Sequence, residues 1–166
     1  MKELPVRKSI RLEGHDYSTA GAYFVTICVK DGHELLWDDV PVGAAFCRPR
    51  LSNAGKAIEL EIQNLSRIYT RISITHYAIM PNHVHMIVVV DHDKRVDEES
   101  GRQNAAPTLS RIIGQWKRSI SMKLGYSIWQ KSFHDHIIRN ETEYQKIWQY
   151  IENNPANRTE DCYHVK

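Results

Sequence analysis

His83 and His85 stand one residue apart in the apolar run AIMPNHVHMIVVV, residues 78 to 90. In a strand, residues i and i+2 share a face, so both imidazoles point one way and Val84 the other. Two imidazoles on one face can ligate a single divalent metal, whereas burying them without partners is unfavourable. Two ligands do not complete a site, so a third must come from elsewhere in the chain. His134 and His136 in FHDHII repeat the spacing and form a rival pair. The 83/85 pair lies in the more apolar run, which reads as the more central strand.

A second set of chemical groups lies in ETEYQKIWQYIENNP, residues 141 to 155. Tyr144, Ile147, Trp148 and Ile151 follow the i, i+3, i+4, i+7 spacing of a core-facing helical stripe. Tyr150 and Asn154, four apart, share a stripe flanking it. An amide oxygen can ligate a hard cation, and a phenol of pKa about 10 becomes a nucleophile when a metal or base assists it. If this helix crosses the sheet beside His83 and His85, three ligands and a phenol converge. Without the histidines, the same residues read as a Tyr at a helix edge and an Asn closing the helix.

The remaining elements must bring those two stretches together. AYFVTICVK (22–30) is rich in β-branched and aromatic residues and reads as a strand. Residues 33–51 read as a strand fragment or two within a loop. SNAGKAIELEIQNLSRI predicts a helix with Ser52 as its cap and Ala54, Ile58, Ile62 and Leu65 on one face. ISITHYAIM and HVHMIVVV, with Pro81 and Asn82 between them, predict a hairpin. TLSRIIGQWKRSISMKLG predicts a helix from a Thr108 cap to Gly125, and SIWQKSFHDHIIR a fourth strand. Asn140 and Glu143 have capping-box spacing ahead of the last helix, which Pro155 stops. The order strand, helix, hairpin, helix, strand, helix implies an α+β sandwich with helices packed on one face of an antiparallel sheet.

Bulk properties narrow the setting. A length of 166 residues suits one domain, residues 1–166, with a polar, exposed loop at about 91–107. The net charge of +2 neither demands nor excludes a nucleic-acid partner. Basic residues cluster, however, at Lys2, Arg7, Lys8 and Arg11, and again at Arg111, Lys117, Arg118 and Lys123. Cys28, Cys47 and Cys162 are far apart and form no CxxC pair, which argues against a zinc knuckle or disulfide framework and for a reducing compartment. MKELPVRKSIRLEG lacks the apolar core of a signal peptide, and no run reaches transmembrane length. A cytoplasmic protein with no membrane partner is the expectation.

PNHVHMI followed much later by YIENNP resembles the HUH single-tyrosine transposases, where U is a bulky apolar residue, here Val84. RKSIRLEGHDYSTAGAYFVTICV and NAAPTLSRIIGQWKRSI are similar to one branch of them, the REP-associated tyrosine transposases, related to the transposases of the smallest insertion sequences. The resemblance covers most of the chain, residues 31–51 and 91–104 being least diagnostic. It implies the HUH endonuclease fold, a ferredoxin-like antiparallel sheet. It implies metal ligands at His83, His85 and Asn154, with Asn153 the competitor that helical spacing disfavours, and a nucleophile at Tyr150. It assigns no metal role to His134 and His136. The implied cofactor is Mg²⁺ or Mn²⁺, and the implied partner single-stranded or hairpin DNA, in the cytoplasm and associated with the nucleoid. Cleavage and rejoining would pass through a 5′-phosphotyrosine. Arg7, Lys8, Arg11, Arg111, Lys117 and Arg118 are the phosphate-contact candidates.

Three other readings stay open at this point. One is a non-catalytic nucleic-acid binder on the same fold, using Tyr23, Phe24 and Tyr77 as stacking groups. Another is a replication-initiator-type HUH nickase, disfavoured by the lack of a helicase segment. The last is a domesticated transposase, which differs from a mobile one only in the flanking DNA. Monomers acting in cis and homodimers sharing tyrosines are both compatible with the sequence.

Overall fold

The computed structural model of the chain describes residues 19–38, 50–91 and 108–155. Its elements are β1 (Gly21–Cys28), α1 (Asn53–Ile68), β2 (Ile72–Ile79), β3 (His83–Val90), α2 (Leu109–Leu124), β4 (His134–Ile138) and α3 (Glu141–Asn153), with a short 3-10 turn at Lys30–Gly32. The four strands form one sheet in the order β2-β3-β1-β4, every neighbouring pair antiparallel. That order is the ferredoxin-like arrangement expected. The fourth strand is shorter than its sequence stretch: Trp129 makes only an isolated bridge to Val29 before β4 begins at His134. The basic N-terminal arm and most of the 91–107 loop lie outside the described residues.

Helix ends follow local chemistry. Ser52 Oγ accepts from Gly55 N at 3.1 Å, Thr108 Oγ1 from Arg111 N at 3.4 Å, and Asn140 Oδ1 from Glu143 N at 2.8 Å. Each satisfies a backbone donor that the first helical turn leaves unpaired. Gly125 closes α2 in the left-handed conformation, φ 80°, where a side chain would be strained.

The sheet has two faces, and the helices divide between them. Val84, Met86, Val88 and Val90 of β3 pack with Ile58 and Ile62 of α1 and Ile112, Ile113 and Trp116 of α2. Ile87 of the same strand packs with Ala78, Ile138 and Ile151, flanked by Phe24, Ile147 and Trp148. The expectation of helices on one face therefore holds for α1 and α2 but not for α3, which covers the histidine face. The physical reason is alternation: β3 is apolar on both faces except at His83 and His85, so both faces need a cover.

A bulge in β2 makes this possible. Register slips by one residue between Ile74 and His76, which reverses the facing of the strand. Ile72 and Ile74 before the slip, and Tyr77 and Ile79 after it, thereby all meet the α1/α2 core. Ala78 after the slip joins the α3 side.

The α1/α2 seam carries one buried charge. Glu61 accepts from Lys123 Nζ at 2.6 Å and from Ser119 Oγ at 2.6 Å, with its side chain only 6% exposed. Burial works to raise its pKa, but the bonds from Lys123, Ser119 and Asn64 and the Lys123 charge outweigh it, so the carboxyl titrates below its ordinary 4.5. A depressed carboxyl pKa means that its stabilisation is complete above about 4.5 and is lost as pH falls through the lowered folded value. Lys123→Ala is expected to destabilise the fold by about 1–3 kcal/mol at pH 7, and by less in acid. Urea melts at pH 7 and pH 3 check this; equal losses at both would contradict it.

Candidate active site

The hairpin and the last helix meet on the α3 face of the sheet. His83 and His85 are almost fully buried, 1% and 0% exposed, and their Nε2 atoms are 3.0 Å apart. The strand spacing puts both rings on one face, and there their Nε2 atoms approach each other. Two nitrogens each about 2.1 Å from one ion and at right angles to it would be about 3.0 Å apart, so the pair has the separation of neighbouring ligands.

The opposite nitrogens of both rings are engaged. Asn82 Oδ1 lies 2.7 Å from His83 Nδ1, and Thr26 Oγ1 lies 2.8 Å from His85 Nδ1. Thr26 comes from β1, directly across from His85 in the register. Neither residue stood out in the sequence. Thr26 reads as one more β-former in an apolar strand, and Asn82 as a turn residue.

α3 supplies the remaining groups. Ile151, 2% exposed, anchors the helix against Ala78, Ile87 and Ile138, while Tyr144 Oη donates to Thr75 Oγ1 at 2.9 Å. Tyr150, one residue before the anchor, keeps its ring 40% exposed and its Oη 3.4 Å from His85 Nε2. Its ring meets Phe24 edge-on, centroids 6.0 Å apart, and Phe24 in turn lies 5.2 Å from the His85 ring. Asn154, at the helix end, is only 3% exposed, yet among the described residues its Nδ2 has no hydrogen-bond partner. Asn153 is exposed. An unsatisfied buried amide N–H is rare in proteins; as a donor it can take an acceptor oxygen but not a cation, for which Oδ1 is the ligand atom.

Among the described residues no three His, Cys, Asp or Glu side chains gather as a metal cluster. His83 and His85 offer two imidazoles, and with an amide oxygen such as that of Asn154 the set would be a mixed N/O one that suits a divalent ion of the Mn²⁺ or Mg²⁺ kind.

The other sequence candidates are elsewhere. His136 on β4 bonds Glu143 at 2.7 Å, and Glu143 also accepts from Arg139 N at 2.7 Å. The Arg139 N–H and then the His136 bond hold the Glu143 carboxyl below its ordinary range, so His136 serves the start of α3. His134, exposed, pairs across β4 with Thr26 and is thus two strands from His85. Arg111 and Arg118 are exposed on α2, behind the sheet from the histidines. Lys117 Nζ is spent on carbonyls, donating to Gln130 O at 2.5 Å and Ser132 O at 3.2 Å, and burial lowers its pKa. Arg7, Lys8 and Arg11 lie outside the described residues.

An uncharacterized protein of Haemophilus influenzae is 26% identical over 178 residues, covering 96% of this chain and 93% of that one. The structure of a REP-associated tyrosine transposase bound to a REP hairpin superposes with a TM-score of 0.62 at 20% identity, over 89% of this chain and 74% of that one. At that identity the likeness speaks for the fold. Residues 53–154 match the family described as "Transposase IS200 like". That match runs from the first residue of α1 to the asparagine that closes α3, more than half of the chain, and it makes this protein a member of the IS200-like transposase family.

Proposed function

We propose that the chain is a metal-dependent transposase that cleaves and rejoins single-stranded DNA through a 5′-phosphotyrosine on Tyr150. The observation that carries the reading is the Tyr150 hydroxyl 3.4 Å from Nε2 of His85, itself 3.0 Å from Nε2 of His83. A nucleophile beside a two-imidazole site is the arrangement this chemistry needs. Residues His83, His85 and Asn154 would hold Mg²⁺ or Mn²⁺. When bound, the ion would polarise the scissile phosphate and offset its charge.

Tyr150 does the bond-making. Its oxygen attacks phosphorus and loses the phenolic proton, the P–O3′ bond breaks, and the departing DNA 3′-oxygen takes up a proton. The new aryl phosphodiester keeps the energy of the old bond, so a second 3′-hydroxyl can reverse the step and join a new strand. Phe24 and His85 wall the tyrosine ring and restrict its swing, which limits the entropy lost on reaching an in-line geometry. Tyr150 meets His85 of its own chain, an arrangement that needs no second copy and supports action in cis.

DNA hairpins are the proposed substrate, supported by the hairpin held by the REP-associated relative. Arg111 and Arg118, with Arg7, Lys8 and Arg11 of the N-terminal arm, are the proposed phosphate contacts; Lys117 is not, given its carbonyl partners. The non-catalytic stacking alternative is weakened by burial. Tyr23 is 1% exposed and Tyr77 packs on the α1/α2 core, so of those three aromatics Phe24 alone lies on the site's face.

The test is covalent capture. Protein is mixed with 3′-labelled single-stranded hairpin DNA from the gene's own flanks and Mn²⁺, Mg²⁺ or EDTA, and products are resolved on a denaturing gel. A metal-dependent adduct that disappears in Tyr150→Phe is expected. An adduct persisting in that variant would move the nucleophile elsewhere, and tight binding of the hairpin without any adduct would favour the binding-module reading.

A further inference from the structure

We infer that Asn82 and Thr26 are positioning residues: Asn82 sets the tautomer of His83, and Thr26 holds the His85 ring in either tautomer, so that both Nε2 atoms can be offered to a metal. The inference rests on the metal-site reading above. An imidazole ligates through an unprotonated nitrogen, and which nitrogen that is depends on the hydrogen bond made by the other.

Asn82 fixes His83. Its side-chain oxygen, 2.7 Å from Nδ1, can only accept, so the bond requires the proton on Nδ1. The neutral ring then carries its lone pair on Nε2. Asn82 is 5% exposed, and its backbone oxygen accepts from Val29 N at 2.8 Å, which ties it to the end of β1. The residue immediately before the histidine is thereby held against its ring.

Thr26 acts differently, because a hydroxyl can both donate and accept. With no ion present, the His83 lone pair faces His85 Nε2 at 3.0 Å, a contact best filled by a proton on His85 Nε2. Thr26 Oγ1 then donates to His85 Nδ1 across 2.8 Å. Were an ion held by both Nε2 atoms, the His85 proton would have to reside on Nδ1 instead, and the same hydroxyl would turn to accept it. One proton leaves Nε2 and one arrives at Nδ1, so the ring stays neutral. Thr26 is 2% exposed, out of reach of bulk water that could substitute. Valine has the same shape and can serve neither state.

Metal affinity tests this without turnover. Mn²⁺ binding to the full chain would be followed by electron paramagnetic resonance for wild type, Thr26→Val, Thr26→Ser, Asn82→Ala, Asn82→Asp and His83→Ala. Thr26→Val and Asn82→Ala are expected to weaken binding about 10–100-fold, and the serine and aspartate variants to recover it to within about threefold. Wild-type affinity in Thr26→Val, with binding lost in His83→Ala, would overturn the positioning role and leave the metal site standing. No Mn²⁺ binding by the wild type would remove both. Nitrogen-15 spectra of the metal-free wild type add a check independent of any variant's folding: His83 protonated on Nε2 rather than Nδ1 would refute the assignment.

Discussion

His85→Ala is expected to lower the rate of covalent adduct formation at least about 100-fold under saturating Mn²⁺, with the fold retained. A Lewis acid at a phosphoryl oxygen supplies several kcal/mol to the transition state, and each 1.36 kcal/mol is about tenfold in rate. His85 is also the ring that touches four members of the site: His83, Thr26, Phe24 and Tyr150. Its loss removes one proposed ligand and the neighbour that orients the nucleophile. The informative companion is His134→Ala, on the same sheet face but exposed and two strands away, which should change the rate by less than about threefold. Single-turnover rates of the two variants decide between the histidine pairs. A reversed order, with His134 critical and His85 dispensable, would sink the site.

Ile151→Ala should release α3 from the sheet while the rest of the fold persists. The side chain is 2% exposed and is the one α3 residue in the buried set with Ala78, Ile87 and Ile138. Truncating a buried Ile costs about 2–5 kcal/mol, a large share of what docks one helix. The α1/α2 core is a separate cluster on the other face, so its stability should hardly change. Hydrogen exchange reads the difference directly: α3 amides are expected to lose protection by about 30-fold or more, β3 and α2 amides to keep it. Adduct yield should fall in step, because Tyr150 rides on that helix. Uniform loss of protection across all elements would show that the two cores unfold as one.

Much of the fold was legible because its signals are local. Ser52, Thr108 and Asn140 cap their helices as their residue types require, and the Ala54, Ile58, Ile62, Leu65 stripe is buried throughout. Both helical stripes point to a covered face, but a stripe does not say which face of which sheet. That is why α3 was expected beside α1 and α2 and lies opposite them. The bulge at Ile74/His76 was invisible for a related reason. ISITHYAI reads as an unbroken strand, and only the competing demands of two cores show that its facing must reverse midway.

For the site, the chain alone determined the pairing of His83 with His85, through the two-residue period of a strand, and the alignment of Tyr150 with Asn154, through the helical repeat. Periodicity acts within one element, so those relations survive without any knowledge of neighbours. What only the tertiary structure decided was everything between elements: that α3 crosses the histidine face, that Asn154 is buried while Asn153 is exposed, and that His136 is engaged by Glu143. It also decided that a threonine from β1 stands against His85, because strand register, set by packing on two faces at once, brings residues 59 positions apart to within 2.8 Å.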